Sequence, residues 1–353
     1  MQSFVYNALP AKVVFGFKTI ARTADELRAL GVSRALVLST AGRTRQAQTL
    51  AQSLGSSCVG AFSGAVMHAP VEATQRALQV VREKRADCTI ALGGGSAIGL
   101  GKSIAFVTDL PQIVLPTTYS GSEATPIGGE TKDGVKTTVT TPKVLPEVII
   151  YDVELTLDLP PAVSVVSGFN AIAHAVEALY AREANPLISL LAEEGIRSFA
   201  TALPAVRRDP KDRDARAEAL YGAWLCGICL GSVGMALHHK LCHVMGGAFN
   251  LPHAETHTVI LPHAMAYNAK AAPEAMARVA RALDAPDAVQ GLHALARRLD
   301  APTALREFGM PEAGIDRAVD LIMANPYWNP RPLEREAIRD LIARAWSGAA
   351  PQH

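Results

Sequence analysis

This chain has no excess of charge, no low-complexity segment or internal repeat and no visible export signal, and each absence narrows what it can be. Lys and Arg number 34 and Asp and Glu 33 in 353 residues, which leaves no global positive field to draw in nucleic acid. An anionic ligand must therefore be held by charges placed locally. The opening stretch MQSFVYNALPAKVVF lacks a basic region followed by a long apolar run, so no secretory signal is read there. Cysteine is scarce and odd in number. Cys58, Cys88, Cys226, Cys229 and Cys242 suit a reducing compartment, and the cytoplasm is the expected location.

What is present is a foldable composition, 49% apolar and 19% charged, which excludes a disordered chain. A length of 353 residues exceeds one compact core, and two domains are expected. One segment, ALYGAWLCGICLGSVGMAL at 219–237, is free of charge and long enough to cross a bilayer. Gly227 and Gly231 even have the spacing used by packed membrane helices. Its four glycines, moderate apolarity and isolation favour a fully buried central helix, so no membrane partner is expected. Cys226 and Cys229 are likewise read as small core residues and not as a redox pair.

The first half alternates. Short apolar runs at 13–15, 35–39, 89–92 and 113–115 read as buried strands, with helical patterns at 23–30, 43–54, 71–85 and 97–107 between them. Strands separated by helices predict a parallel, doubly wound, Rossmann-like α/β sheet. Residues 135–140 and 148–151 add strand-like pieces. Leu159-Pro160-Pro161 then reads as a hinge, since proline opens a helix but does not continue one. Beyond it, patterns at 162–181, 186–207, 213–237, 273–283, 288–299 and 333–346 predict an all-α domain. The expected division is an α/β domain over 1–159 and a helical domain over 160–353, with a ligand cleft between them.

Two loops that follow strands have the composition of cofactor sites. In LGGGSAIGLGK (92–102), Gly93, Gly94, Gly95 and Ser96 open a helix, where unpaired backbone N–H groups and the positive helix end can hold a phosphate. The run misses two named motifs. Ile98 stands where G-x-G-x-x-G needs glycine, and Ser96 where the nucleoside-triphosphate loop needs it. A tight strand–helix turn is the structural alternative. After the next strand, PTTYSGSE (116–123) offers the hydroxyls of Thr117, Thr118 and Ser120, although Ser120 and Glu123 also have capping-box spacing.

The remaining constellation is HHKLCHVMGGAFNLPH at 238–253, with four of the ten histidines in sixteen positions. His239 and His243 lie four apart, on one helix face, and His253 follows Gly246-Gly247 and Pro252, where the chain must turn. Such a cluster can bind a transition metal, relay protons or hold a carboxylate. Taken singly, each ring is more often a half-buried residue hydrogen-bonded for structural reasons. Upstream, Asn170 and His174 lie four apart, with Glu177 one turn further. With His239 and His253 they could complete a four-ligand site, but the neutral amide of Asn170 brings no charge to offset a divalent cation.

Together these residues resemble the iron-containing alcohol dehydrogenase family, also called dehydroquinate-synthase-like. The resemblance covers essentially the whole chain: GGGS at 93–96, PTTYSGSE at 116–123, NAIAHAVEA at 170–178 and the 238–253 block. It implies an NAD(P)-binding α/β domain, a helical domain, and a metal held by an Asp, a His four residues on and two further His fourteen apart. Those positions here hold Asn170, His174, His239 and His253, so the one acidic ligand is lost. HHKLCHVMGGAFNLPH and the late NPYWNPRP (325–332) resemble the branch of the family that reduces maleylacetate. The resemblance then implies NADH- or NADPH-dependent reduction of maleylacetate to 3-oxoadipate in aromatic-compound degradation, without metal, by a cytoplasmic homodimer. A metal-dependent alcohol or polyol dehydrogenase, using iron or zinc, is the alternative within the family. A dehydroquinate-synthase-type lyase stands behind it.

The chemistry accounts for the lost Asp. Hydride addition to a C=C conjugated with a ketone gives an enolate whose charge is spread, so hydrogen-bond donors and a proton source can replace a Lewis acid. On this reading His243 and His253 are the first candidates for general acid, Tyr327 is the alternative, and His239 and His174 complete the catalytic set. Asn170, Lys240, Arg331 and Thr118 are expected to meet the small dicarboxylate substrate. Many family members carry an Asp after the second strand, where this chain has Ser39-Thr40. Ser39 is expected at the cofactor, together with Lys136, which stands in the family's position for a cofactor-contacting lysine. Without that Asp, NADPH should be accepted alongside NADH. Comparing kcat/KM for the two cofactors checks this, and strict NADH dependence would overturn it.

Overall fold

Strands that are apolar on both sides must be covered on both faces, and that requirement builds the first half of the molecule. The computed structural model describes residues 4–9, 11–67, 70–132 and 135–352, and for 130–132 and 135–137 the backbone alone. The chain divides into two compact units, Ala8–Leu159 and Pro160–His353, with the N-terminal Met1–Asn7 belonging to the second.

The strands of the first unit are β1 (Lys12–Gly16), β2 (Ala35–Thr40), β3 (Cys58–Ala65), β4 (Cys88–Gly93), β5 (Gln112–Pro116), β6 (Ile127–Lys132), β7 (Val135–Thr140) and β8 (Val148–Asp152). Six of them form one sheet in the order β1-β8-β5-β4-β2-β3, with every pairing parallel. β6 and β7 form a separate antiparallel hairpin. Parallel pairing needs crossovers, and these include α1 (Thr23–Ala29), α2 (Thr44–Ser53), α3 (Val71–Lys84) and α4 (Gly95–Thr108).

Alternation along β2 shows how both faces are covered. Ala35 and Val37 join Leu27 and Leu50 of α1 and α2 in one core, while Leu36 and Leu38 join Ala77 and Leu100 of α3 and α4 in the other. The predicted doubly wound sheet is therefore present. The chain leaves β2 toward β3 on one side and β4 toward β5 on the other, so the strand order reverses where the carboxyl ends of β2 and β4 lie side by side. Two strands escape the sequence reading. β3, CVGAFSGA, lies at the sheet edge, is only half-buried for most of its length and has no continuous apolar run. The other is β6, the first strand of the hairpin.

The second unit is helical: α5 (Pro161–Leu179), α6 (Pro186–Arg208), α7 (Arg213–Ser232), α8 (Leu237–Phe249), α9 (His253–Asn268), α10 (Pro273–Ala282), α11 (Ala288–Arg298), α12 (Gly314–Ala324) and α13 (Arg335–Ser347). α5 packs against α6, α7 and α9 and is buried without interruption from Ser164 to its end. Among the described residues it is the one single helix long and apolar enough to cross a membrane, and its burial on all sides is that of a core helix.

The charge-free segment 219–237 is not the single helix expected from its composition. α7 ends at Ser232, α8 starts at Leu237, and the two helices meet at 95°. Gly231, Ser232 and Gly234 weaken helix propensity at this corner. Two carboxylates then take its exposed backbone donors: Glu183 accepts from Gly234 N–H at 3.0 Å and Glu177 from Ala236 N–H at 2.7 Å. Cys226 and Cys229 are fully buried in α7, and burial pushes both thiols up, Cys229 to about 12. They are core residues, as the composition suggested, and all five cysteines are free.

Lys102 holds the loop that follows β5. Its buried ammonium lies 2.6 Å from Ser122 O, 2.7 Å from both Thr125 O and Ile127 O, and 2.9 Å from Thr125 Oγ1. Burial pushes its pKa down to about 7, opposed by the charge of Glu123. Removing the ammonium strands several buried carbonyls. Lys102→Met should therefore cost about 3 kcal/mol of stability. Chemical denaturation checks this, and a loss under about 1 kcal/mol would show the clamp to be unimportant.

Candidate active site

In the α/β unit the glycine run serves two purposes. Gly93 ends β4, Gly94 is the N-cap of α4 without a side-chain cap, and Gly95 is the first helical residue. A Cβ on Gly93 would lie 2.8 Å from Ala97 Cβ, and one on Gly94 would lie 2.7 Å from Thr118 Oγ1. Those two glycines allow close packing. A Cβ on Gly95 would meet nothing within 4 Å, so open space lies over the helix start, where a helix leaves its first-turn N–H groups without intrahelical partners. Ser96 is half-buried in that turn.

The second loop is tied to the first by Thr117 N–H donating to Gly93 O at 3.1 Å. The Thr117 hydroxyl is buried without a protein partner, and half-buried Thr118 lies against Gly94. Ser120 differs. Its hydroxyl lies 3.3 Å from both Ser122 Oγ and Glu123 Oε2, while Gly121 is the N-cap of the short helical turn that follows and no side chain caps it. Ser39 also departs from expectation. It is fully buried and bonds Ser63 Oγ at 2.9 Å, because alternation in β2 turns it into the unit and leaves Thr40 as the more exposed residue. Lys136 lies in β7, and its side chain is outside the described residues.

In the helical unit, α5, α8 and α9 contribute to one imidazole cluster. Asn170, His174 and Glu177 fall at i, i+4 and i+7 on α5, so they share a face, and all three are buried. α8 brings His238, His239 and His243, and α9 brings His253 and His257. The His174 ring stacks on His239 at 5.2 Å, and His239 lies 6.1 Å from His243 and 5.0 Å from His257. The exposed His253, at the start of α9, lies 4.3 Å from His257. The four histidines singled out by the sequence do come together.

Glu177 organises this group. One oxygen accepts from His238 N–H at 2.7 Å, and the other accepts from Ala236 N–H at 2.7 Å and lies 2.7 Å from His239 Nδ1. Ala236, the N-cap of α8, has no side chain able to cap it, and Glu177 does that work from α5.

Behind His239, His238 Nε2 and His257 Nδ1 are 2.9 Å apart, with Cys242 Sγ 3.7 Å from His238. The three offer ligand atoms within 4.8 Å of one another. The short imidazole–imidazole hydrogen bond already uses two of those atoms, so the trio is a polar core contact. Burial, reinforced by the other imidazoles, pushes His174, His238 and His257 well below the ordinary histidine range, so these rings are neutral.

Tyr327 reaches the cluster from the segment between α12 and α13. Its hydroxyl is 3.1 Å from His243 Nδ1, and Lys240 Nζ lies 5.4 Å from its ring centroid. Asn329 anchors that segment. Its amide pairs with Asn268 in both directions, at 2.9 and 2.6 Å, and its oxygen accepts from Leu237 N–H at 3.4 Å. Arg331 does not join the group. Its guanidinium stacks on Tyr267 at 4.1 Å and donates to Tyr267 O and Glu334, each at 3.3 Å.

Asn170, His174, His239 and His253 are the positions that a metal of the resembled family would use. The donor set is an amide and three imidazoles, and the Glu177 carboxylate is already taken by two backbone donors and His239. Protein iron sites of this kind pair imidazoles with a carboxylate, so the set does not fit iron.

The neutral imidazoles couple stability to pH. His263, in the same unit, is pushed down by burial to about 4. Unfolded imidazoles take up protons below about pH 6.5 that the buried rings refuse, so stability is complete above that value. It should then fall by about 1.4 kcal/mol per pH unit for each ring as the pH drops toward the folded values. Thermal melts between about pH 7.5 and about pH 5 check this, and a flat Tm would contradict it.

The family description "Iron-containing alcohol dehydrogenase" matches residues 10–153, and "Fe-containing alcohol dehydrogenase family, C-terminal" matches residues 164–346. Maleylacetate reductase of Rhizobium sp. (strain MTP-10005) is 55% identical over 352 residues, covering 100% of each chain. The protein of that name from Sphingobium indicum is 54% identical over 348 residues, covering 99% of each. The crystal structure of maleylacetate reductase from Agrobacterium tumefaciens, 55% identical, has a TM-score of 0.96 over 99% of this chain and 100% of that one. With both units matched in sequence and the same architecture throughout, the chain belongs to the iron-containing alcohol dehydrogenase family.

Proposed function

We propose that this protein reduces the conjugated C=C of maleylacetate to 3-oxoadipate, using NADH or NADPH and no metal. The whole-length relatives of that name support the reaction. On the structural side one observation carries the reading: the buried imidazole face has an amide, Asn170, where the resembled metal site has a carboxylate.

A bound nicotinamide supplies the hydride, which adds to the carbon β to the ketone. The π electrons move onto the ketone oxygen, and a proton delivered to the α carbon completes the product. The Asn170 side-chain N–H suits the developing enolate oxygen, where oxyanion-type donors contribute about 3 kcal/mol. His174 Nδ1 and His239 Nε2 are buried nitrogens without protein partners. Leaving such atoms bare costs on the order of 1–3 kcal/mol each, which a polar ligand recovers. His243, held at Nδ1 by Tyr327, is the general acid in this scheme. The exposed His253 exchanges protons with water, and Lys240 offers a cation to a substrate carboxylate. Gly94, Gly95, Thr117 and Thr118 are assigned to the cofactor. Homodimeric assembly and a cytoplasmic location belong to the same proposal.

The test is NADH and NADPH oxidation with maleylacetate before and after exhaustive chelation. Turnover is expected to survive chelation. Near-stoichiometric iron or zinc, with activity lost to the chelator, would refute the metal-free reading and favour the alcohol dehydrogenase alternative. His243→Ala should lower kcat by about 100-fold. Near-normal turnover in both His243→Ala and His253→Ala would remove those residues from the proton transfer.

A further inference from the structure

Glu177 stands outside the catalytic set, yet its contact with His239 has a chemical consequence. Both of its oxygens accept hydrogen bonds from the fixed backbone donors of Ala236 and His238. An oxygen held as an acceptor, 2.7 Å from His239 Nδ1, requires the hydrogen to sit on that nitrogen. In the neutral ring Nε2 is then a lone pair. That atom is buried and has no protein partner, and stacking on His174 holds the plane of the ring. A helix cap alone would need only the two backbone contacts. The third contact leaves the imidazole a single tautomer.

We propose that Glu177 is a positioning residue that acts through His239, fixing its Nδ1–H tautomer so that the Nε2 lone pair accepts a hydrogen bond inside the reaction centre and orders the donors that meet the substrate. The role rests on the imidazole cluster being the reaction centre. A carboxylate that orients the working imidazole of a hydrolytic triad has the same logic. There, loss of the charge with retention of shape leaves the wrong tautomer and a large fall in kcat.

Two measurements test the assignment. Nitrogen-15 histidine spectra of the free wild-type protein should show His239 protonated at Nδ1 and not at Nε2 in its neutral form. An Nε2–H tautomer overturns the proposal without any variant. In kinetics, Glu177→Gln should lower kcat by about 100-fold while KM for maleylacetate and for NADH changes by less than about threefold. In a His239→Ala background the same substitution should have almost no further effect on kcat, because the residue it acts through is gone. Equal losses in both backgrounds would mean that Glu177 serves only the helix corner, and the proposal fails. A wild-type protein that oxidises no NADH with maleylacetate refutes the functional reading separately, since the tautomer is decided without substrate.

Discussion

A single buried carboxylate joins three helices of the second unit. Glu177 comes from α5, satisfies the first donors of α8 and holds a ring that packs between α5 and α9. Leaving one partner of a buried charged network unpaired costs about 3–5 kcal/mol, which is a large share of a domain's net stability. The 95° corner, the start of the histidine helix and the face of the cluster thus share one cause.

The α/β unit solves a different problem. Its glycine turn is made from missing atoms: a Cβ on Gly93 or Gly94 would strike Ala97 or Thr118, and one on Gly95 would stand in open space above a helix end. Lys102, which in the sequence stands near a nucleotide-motif lysine, is turned inward to hold a loop. What the turn itself offers is the partial charge of the backbone at a helix start, with no side chain to be ordered.

Much of this was legible in the amino-acid order, and the misses have physical reasons. The runs at 35–39 and 89–92 fall inside β2 and β4, and the pattern at 71–85 overlaps nearly all of α3, because buried strands and amphipathic helices have distinct periods. The corner at 233–236 was hidden because its stabilising partners lie far upstream, Glu177 in α5, 59 residues from Ala236, and Glu183 in the loop after α5, 51 residues from Gly234. The imidazoles were visible as a cluster through their spacing. The local partners of Ser39 and Arg331, Ser63 and Tyr267, were not legible, because a short polar run does not say which way a side chain turns. Glu177 did have a signal, its i+3 spacing from His174, but spacing alone assigned it no work.

Asn170 has a consequence for mutational distance. Asparagine and aspartate are nearly identical in size and shape, so exchanging one for the other asks nothing of the packing around α5. The other positions of the resembled family's arrangement hold His174, His239 and His253, with the Glu177 carboxylate behind the middle ring. Asn170 and an Asp in its place therefore differ by a single side-chain group on an otherwise unchanged set of imidazoles. A lineage could cross that step in either direction without rebuilding its fold.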